Sequence, residues 1–225
     1  MRILVVEDEV RLAENVAAGI REGSGYAVDI AHDGADALLL TQTTSYDLII
    51  LDLMIPKLNG EAFLRSVRAA RVSTPVLVLT AVIDKNKIIE MLNSGADDYM
   101  TKPFDLGELI ARARALVRRG KGVTQPSLKV GSLEIHLAHQ TVSHGNREVE
   151  LSPTEYRILE YLMFRPRVIV SKRELLEHLY DFTWEHHSNV VEAHVSNLRK
   201  KLRSVSESDI LETLRGRGYR LASTS

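Results

Sequence analysis

Polar residues follow four predicted strands in the first half of the chain, at the point where each strand ends. Residues 3–6, 48–51 and 76–79 are continuous runs of Val, Ile and Leu, and a weaker segment spans residues 98–101. The residues that follow them are, in chain order, Glu7 and Asp8, Asp52, Thr80, and Lys102. In open α/β sheets, the carboxyl ends of parallel strands meet at one edge, where ligands bind. The sequence therefore predicts a polar cluster at this edge.

This set of side chains suits a metal and an anion. Two carboxylates about 4 Å apart repel by roughly 4 kcal/mol at an effective dielectric constant near 20, so an acid cluster favours a divalent cation. Oxygen ligands alone favour Mg²⁺, with Glu7, Asp8, Asp52 and the Met54 backbone carbonyl as ligands. Lys102 and Thr80 suit a phosphoryl group. Asp52 is the predicted nucleophile, which would form an aspartyl phosphate.

The same residues also allow other interpretations, as local caps or as parts of a different kind of site. Taken singly, an acid after a strand is more typical of a turn or a helix cap, and the coincidence at four strand ends is what favours a site. A phosphatase or mutase also uses an Asp nucleophile with Mg²⁺, but it needs a second acid two residues later, and position 54 is Met. A nucleotide-binding protein would carry a phosphate-binding glycine motif, which the sequence lacks.

The elements that must position these residues follow from periodicity. Runs of residues that are apolar on both faces are typical of parallel strands covered by helices. Helical patterns separate the apolar segments, and a further weak strand is predicted at residues 27–31. Residues 1–119 are therefore predicted to form a doubly wound (βα)5 α/β domain.

The second half has a different pattern. Residues 120–127 contain Gly and Pro without periodicity and are predicted to be a linker. Short strands are then predicted at 128–130, 133–135, 141–143 and 148–151. Ser152 and Ser171 each begin a predicted capping box, a third helix begins near residue 188 or 189 and ends near Arg203, and residues 210–221 form a hairpin. This order predicts an α+β winged helix-turn-helix domain over residues 128–225.

The third helix has two faces at 100° per residue. Val191, Val195, Leu198 and Leu202 form the predicted buried stripe. The outer face suits the major groove of double-stranded DNA because it is small, rich in amides and basic. Its predicted contacts are Asn189, Val190, Ala193, Ser196, Asn197, Arg199, Lys200 and Arg203. Residues 189–220 hold seven Lys or Arg and four acids, a local balance of +3.

Composition is consistent with two ordinary domains. The 225 residues carry 29 Lys+Arg and 30 Asp+Glu, but residues 1–120 have 14 bases and 17 acids, whereas residues 121–225 have 15 and 13. The near-neutral total thus hides an acidic half and a mildly basic half. No Cys is present, which excludes disulfides and thiolate chemistry. With no apolar run of 18 residues, we expect no membrane segment and a cytoplasmic location.

The chain resembles the OmpR/PhoB-type two-component response regulators from end to end. The motifs that carry the resemblance are Glu7-Asp8, residues 52–56 with Gly60, Thr80-Ala81, residues 95–104, residues 198–202 and residues 215–220. The resemblance implies a flavodoxin-like receiver domain and a phosphoryl donor that is a sensor histidine kinase. It also implies Thr80 and Tyr99 as the switch pair and a cis Lys102-Pro103 bond. The protein is expected to be a regulator that modifies only itself, not an enzyme with an external substrate.

The resemblance further implies a phosphorylation-promoted homodimer in which Asp98 and Arg112 pair between chains. This sequence departs from the family pattern nearby, where Ile88 and Asn93 replace charged partners of Glu108 and Arg114; Lys85 and Lys87 are candidate substitutes. The implied DNA contacts are Arg215 in the minor groove and Arg217 beside it, with Thr213 and Tyr180 on phosphates. Residues 181–187 match the segment with which some relatives contact RNA polymerase. His186-His187 is interpreted as a solvated pair rather than a metal site.

Overall fold

The computed structural model describes residues 1–82, 84–180, 190–206 and 209–222. The chain divides into two compact units, Met1–Gly122 and Val123–Ser225. The last helix of the first unit ends at Gly120, and the first strand of the second unit begins at Ser127. The helix thus includes the first residue of the predicted linker, 120–127, and the strand includes its last residue.

The first unit contains a five-stranded parallel sheet. Its strands are β1 (Arg2–Val6), β2 (Ala27–Ala31), β3 (Leu48–Leu51), β4 (Val76–Thr80) and β5 (Asp98–Thr101), in the order β2-β1-β3-β4-β5. Every residue of β1, β3 and β4 is buried, as expected for strands covered on both faces. This confirms the predicted doubly wound (βα)5 architecture.

Five helices cover the sheet: α1 (Val10–Ser24), α2 (Gly34–Thr43), α3 (Gly60–Ala69), α4 (Lys85–Asn93) and α5 (Leu106–Gly120). Side-chain caps define where four of them begin. Asp33, Asn59, Asp84 and Asp105 accept hydrogen bonds from backbone N–H groups in the first turns of α2, α3, α4 and α5. Each cap of this kind stabilises a helix by about 1 kcal/mol.

The second unit begins with an antiparallel sheet of β6 (Ser127–Val130), β7 (Leu133–His136), β8 (Thr141–His144) and β9 (Arg147–Glu148). The prediction of a strand at 148–151 was wrong in its bounds. Val149 still donates to the Val142 carbonyl, but Ser152 caps the next helix, so the chain leaves the sheet before it.

The described residues of this unit continue with the helices α6 (Pro153–Met163), α7 (Lys172–Leu179) and α8 (Val190–Arg203) and with a hairpin of β10 (Leu211–Leu214) and β11 (Gly218–Leu221). The capping box at Ser152 and Glu155 is complete. At α7, the Ser171 hydroxyl accepts from the Glu174 N–H, whereas the Glu174 carboxylate accepts from the Tyr161 hydroxyl at 2.8 Å. The order of elements confirms the winged helix-turn-helix. Among the described residues, no helix is both long and apolar enough to cross a membrane.

Candidate functional site

The carboxyl edge of the parallel sheet brings three acids together. One carboxylate oxygen from each of Glu7, Asp8 and Asp52 lies within 4.8 Å of the others. Backbone pairing produces this arrangement, since the Asp52 N–H donates to the Val6 carbonyl at 2.9 Å. Glu7 and Asp52 are buried and Asp8 is exposed. These donors are all hard oxygen atoms and one side of the cluster is open, so the residues present fit a Mg²⁺ ion.

The Lys102 ammonium lies against two of these carboxylates. Its Nζ is 2.5 Å from Asp52 Oδ2 and 2.7 Å from Glu7 Oε2. Burial raises the pKa of Glu7, although Lys102 opposes the rise. Burial lowers the pKa of Lys102, but its hydrogen bonds to Asp52 and Glu7 outweigh that effect and raise it overall. The edge therefore holds three carboxylates and one ammonium, and Lys102 only partly offsets the cost of burying the Glu7 charge.

The Asp52 carboxylate is held at both oxygens. Its Oδ1 accepts from the Met54 N–H at 3.0 Å, while Oδ2 bonds Lys102. Gly60 packs directly on this backbone, because an added Cβ there would lie 2.4 Å from the Asp52 carbonyl oxygen. Met54 itself is 69% exposed. Asp52 thus presents a carboxylate that is fixed at both oxygens, beside an exposed Met54 side chain.

Thr80 and Tyr99 are linked through one backbone segment. Thr80 is fully buried at the end of β4, and its Oγ1 lies 3.5 Å from the Val82 nitrogen. The Tyr99 hydroxyl donates to the Val82 carbonyl oxygen. Burial raises the pKa of Tyr99, and the nearby Asp52 charge adds to the rise. The two residues implied as a switch therefore share Val82 as a common neighbour.

The residues implied to pair between chains are paired within this one. Arg112 contacts Asp98 at 2.9 Å and Glu108 at 2.7 Å. This local arrangement follows from helical spacing, because Glu108 and Arg112 are four residues apart on α5. The candidate substitute Lys87 contacts both Glu61 and Glu90. A dimer through this face would therefore need these pairs to exchange partners.

Arg114 also has a partner within the chain. Its Nε donates to Ser24 Oγ at 3.1 Å, and its terminal nitrogen donates to the Gly23 carbonyl. These atoms belong to the last turn of α1, where an arginine satisfies carbonyls that have no partner within the helix. Arg114 thus ties α5 to α1 in the structure.

Helix α8 presents the predicted outer face in the second unit. Its buried residues are Val191, Val195, Leu198 and Leu202, which confirms the predicted stripe. Of the predicted contacts, Ala193, Ser196, Asn197, Lys200 and Arg203 are exposed, and Val190 and Arg199 are half-buried. Asn189, the loop 181–187 and the His186-His187 pair lie outside the described residues. The exposed contacts therefore lie on one face, opposite the core.

The hairpin lies beside this helix. Arg199 Nε donates to the Leu211 carbonyl at 3.0 Å, and its terminal nitrogen donates to the Thr213 hydroxyl. Arg215 and Arg217 are exposed in the turn region between β10 and β11. Tyr180 is only 9% exposed, so little of this predicted phosphate contact reaches the surface.

Sequence reasoning missed a basic cluster at the start of α7. Lys172 and Arg173 line a cleft of about 420 Å³ together with Glu192 of α8 and Arg217 of the hairpin. Lys172 Nζ lies 2.5 Å from the Glu192 carboxylate. The capping pattern at Ser171 located this turn in the sequence, but only the folded unit brings it next to the hairpin.

Comparison with known proteins covers both units. The family described as Response regulator receiver domain matches residues 3–114, and that described as Transcriptional regulatory protein, C terminal, matches residues 146–221. TcrA, a transcriptional regulatory protein of Mycobacterium tuberculosis, is 40% identical over 221 residues, which are 98% of this chain and 87% of that protein. The cell cycle response regulator CtrA of Brucella anthropi is 38% identical over 222 residues, covering 97% and 94%. The solved receiver domain of the Francisella response regulator 1452 has a TM-score of 0.51 and 39% identity, and covers 52% of this chain and 97% of that one.

Proposed function

Because the chain belongs to the OmpR/PhoB-type response regulators, which join a receiver to a DNA-binding domain that regulates transcription, we propose that Asp52 accepts a phosphoryl group from a sensor histidine kinase. The observation that carries this proposal is the position of the Asp52 carboxylate. It lies between Lys102 and the Met54 N–H, among acids that suit a divalent cation.

The transfer forms one bond to phosphorus and breaks another. An Asp52 carboxylate oxygen forms the new O–P bond while the P–N bond of the donor phosphohistidine breaks, and the imidazole keeps the electron pair. Lys102 and the Thr80 hydroxyl then donate to the new phosphoryl oxygens. Glu7, Asp8, Asp52 and the Met54 carbonyl would hold Mg²⁺, which when bound neutralises phosphoryl charge. Since position 54 is not an acid, we expect no turnover of an outside substrate.

The phosphoryl group would change the state of the switch. Thr80 moves toward the added negative charge, and the Val82 segment that it shares with Tyr99 moves with it. The surface of α4, β5 and α5 then favours a dimer in which each chain's Asp98 pairs with the other chain's Arg112. In a two-fold symmetric dimer, each Arg112 would leave Asp98 of its own chain and contact Asp98 of the other chain, so that both charges of the pair keep an opposite partner.

The output would be promoter DNA. The outer face of α8 would enter the major groove and Arg215 the minor groove, with Thr213 and Arg217 beside it. The balance of +3 over residues 189–220 is small, so we expect weak binding by monomers and strong binding by dimers on paired half-sites. RNA polymerase is a further proposed partner, through residues 181–187, and the cytoplasm is the proposed location.

The experiment treats the full chain with acetyl phosphate and Mg²⁺ and measures intact mass and solution mass. We expect one added phosphoryl group, mapped to Asp52 and absent from Asp52→Asn, and a larger dimer fraction in the labelled protein. Asp84→Asn, which removes an acid but can keep its helix cap, is the control and should be labelled normally. Repeated release of phosphate over many turnovers would instead support a phosphatase, and labelling of Asp52→Asn would refute the proposal.

A further inference from the structure

Lys57 occupies a backbone conformation that few residues with a side chain adopt. It lies in the loop between β3 and α3 with φ 63°, in the left-handed region that costs a non-glycine residue roughly 1 kcal/mol. The loop turns tightly here, because the Leu58 N–H donates to the Pro56 carbonyl at 2.8 Å. Such a conformation persists only where its surroundings hold it.

The Asp33 carboxylate supplies the contact that holds it. Lys57 Nζ lies 2.5 Å from Asp33 Oδ2. The other oxygen, Oδ1, accepts from the N–H groups of Ala35 and Asp36 at 2.9 Å each, which caps α2. The Asp33 side chain is 9% exposed and the Lys57 side chain is 63% exposed, so the pair joins a buried, hydrogen-bonded carboxylate to a solvated ammonium, and its strength is limited by the solvent around Lys57. One buried carboxylate therefore joins the start of α2 to the loop.

The backbones of the same two segments are also in contact. The Gly34 N–H points at the Pro56 carbonyl at 3.3 Å. A Cβ on Gly34 would lie 1.9 Å from the Leu58 carbonyl oxygen, so only glycine permits this approach. The turn at Lys57 thus rests directly on the first turn of α2.

The other end of this loop is the phosphoacceptor site. Leu53 and Ile55 are buried in the core beneath it, and the Gly60 N–H closes the loop onto the Leu53 carbonyl at 3.1 Å. Between the two buried residues, the Met54 N–H donates to Asp52. The peptide groups of Met54 therefore lie between fixed side chains and the turn that Lys57 maintains.

We propose that Asp33 and Lys57 form a positioning pair that holds the loop between β3 and α3 in the geometry by which Met54 and Asp52 receive a divalent cation. This inference rests on the proposed function of Asp52. The Lys57 ammonium and the Asp36 N–H lower the pKa of Asp33, so the pair stays ionised at neutral pH. Neither residue touches the reacting atoms.

Four variants of the full chain test the pair. Asp33→Asn can keep both cap hydrogen bonds but loses the charge, Lys57→Met loses the ammonium, and Lys57→Arg restores a cation. Lys129→Met, which removes a lysine from an exposed pair with Glu134, is the matched control. Two measurements are made: the half-saturating Mg²⁺ concentration for labelling by acetyl phosphate, and the Mg²⁺ titration of the Met54 amide resonance without a phosphoryl donor.

We expect Asp33→Asn and Lys57→Met each to raise the half-saturating Mg²⁺ concentration about threefold to tenfold, a smaller change than loss of a group that bonds a metal ligand. The double variant should be no worse than the poorer single variant, and Lys57→Arg and Lys129→Met should resemble the wild type. The direction in which Lys57→Met changes the half-saturating Mg²⁺ concentration distinguishes a positioning role from a purely electrostatic one. If Lys57 acted only through its charge, its removal would tighten Mg²⁺ binding.

Failure of this inference can be told from failure of the proposed function. If the wild type is labelled at Asp52 and the two charge-removing variants bind Mg²⁺ as it does, or more tightly, the positioning role is wrong. If the wild type is not labelled and its Met54 resonance ignores Mg²⁺, the proposed function itself fails. A lower melting temperature with unchanged Mg²⁺ titration would show a structural pair only, and would also overturn the inference.

Discussion

Replacing Lys102 with Met leaves two buried carboxylates facing each other without a cation. The ammonium lies 2.5 Å from Asp52 and 2.7 Å from Glu7. Removing one partner of a buried ion pair costs about 3–5 kcal/mol. Because Lys102 is 19% exposed and Glu7 can relieve the repulsion by binding a proton, we expect the lower end, about 3 kcal/mol at pH 8 without Mg²⁺.

The loss should depend on pH in a defined direction. Burial already raises the pKa of Glu7 above its ordinary 4.5, and Lys102 opposes that rise. The variant therefore raises the folded-state pKa further. A carboxyl group whose pKa is higher in the folded than in the unfolded protein stabilises the fold fully at pH values below its unfolded pKa. This contribution is lost as pH rises through the folded pKa. The deficit of Lys102→Met should thus grow from pH 5 to pH 8, and Mg²⁺ should reduce it.

The assay is hydrogen exchange of the full chain in urea, measured by mass spectrometry on peptides from β1 and β3, so that it reports the unfolding of the first unit. Lys87→Met is the control, since Lys87 also contacts two carboxylates, those of Glu61 and Glu90, but both are partly exposed. Its deficit should change little over the same pH range. A Lys102→Met deficit that is equal at pH 5 and pH 8, or that stays below about 1 kcal/mol at pH 8, would show that Lys102 does not offset the buried charges of Glu7 and Asp52.

Three further predictions concern other contacts. Burial opposes the ionisation of Glu155, but the Lys201 hydrogen bond outweighs it and holds the pKa of Glu155 below its ordinary 4.5. The stability that the ionised Glu155 contributes should therefore be lost as pH falls below that value. Glu155→Gln should remove this pH dependence in an acid titration of unfolding and should cost about 1 kcal/mol at pH 7. Gly34→Ala places a Cβ 1.9 Å from the Leu58 carbonyl oxygen and should lower stability by about 2–3 kcal/mol in thermal unfolding, whereas a neutral result would show that the loop yields easily. Lys200→Met, which removes an exposed cation from the outer face of α8, should weaken DNA binding and reduce the slope of log affinity against log salt by about 1, and an unchanged slope would exclude a phosphate contact by Lys200.

Local patterns were sufficient to predict the elements of the fold. The weak strands at Ala27–Ala31 and Asp98–Thr101 have the predicted bounds. The buried stripe of α8 was likewise predictable from its period. The bounds of the strand before Ser152 were not predictable in this way, since the helix cap at Ser152 competes with the sheet for residues 149–151.

The candidate site was predictable as a set of residues but not as a network. Strand ends placed Glu7, Asp52 and Lys102 at one edge, because parallel strands share a direction. No local pattern pairs Asp33 with Lys57, which are far apart in the chain and meet only through the approach of Gly34 to the loop.

The most direct test of the account is the DNA affinity of the full chain with and without phosphorylation at Asp52. Duplexes selected from random DNA supply the ligand, and fluorescence anisotropy at fixed salt supplies the affinity for the wild type and Asp52→Asn, each with Mg²⁺ and with or without acetyl phosphate. We expect the phosphoryl donor to tighten binding by the wild type at least tenfold, about 1.4 kcal/mol, and to leave binding by Asp52→Asn unchanged. Equal affinities in all four conditions, or the same gain in Asp52→Asn, would contradict this expectation.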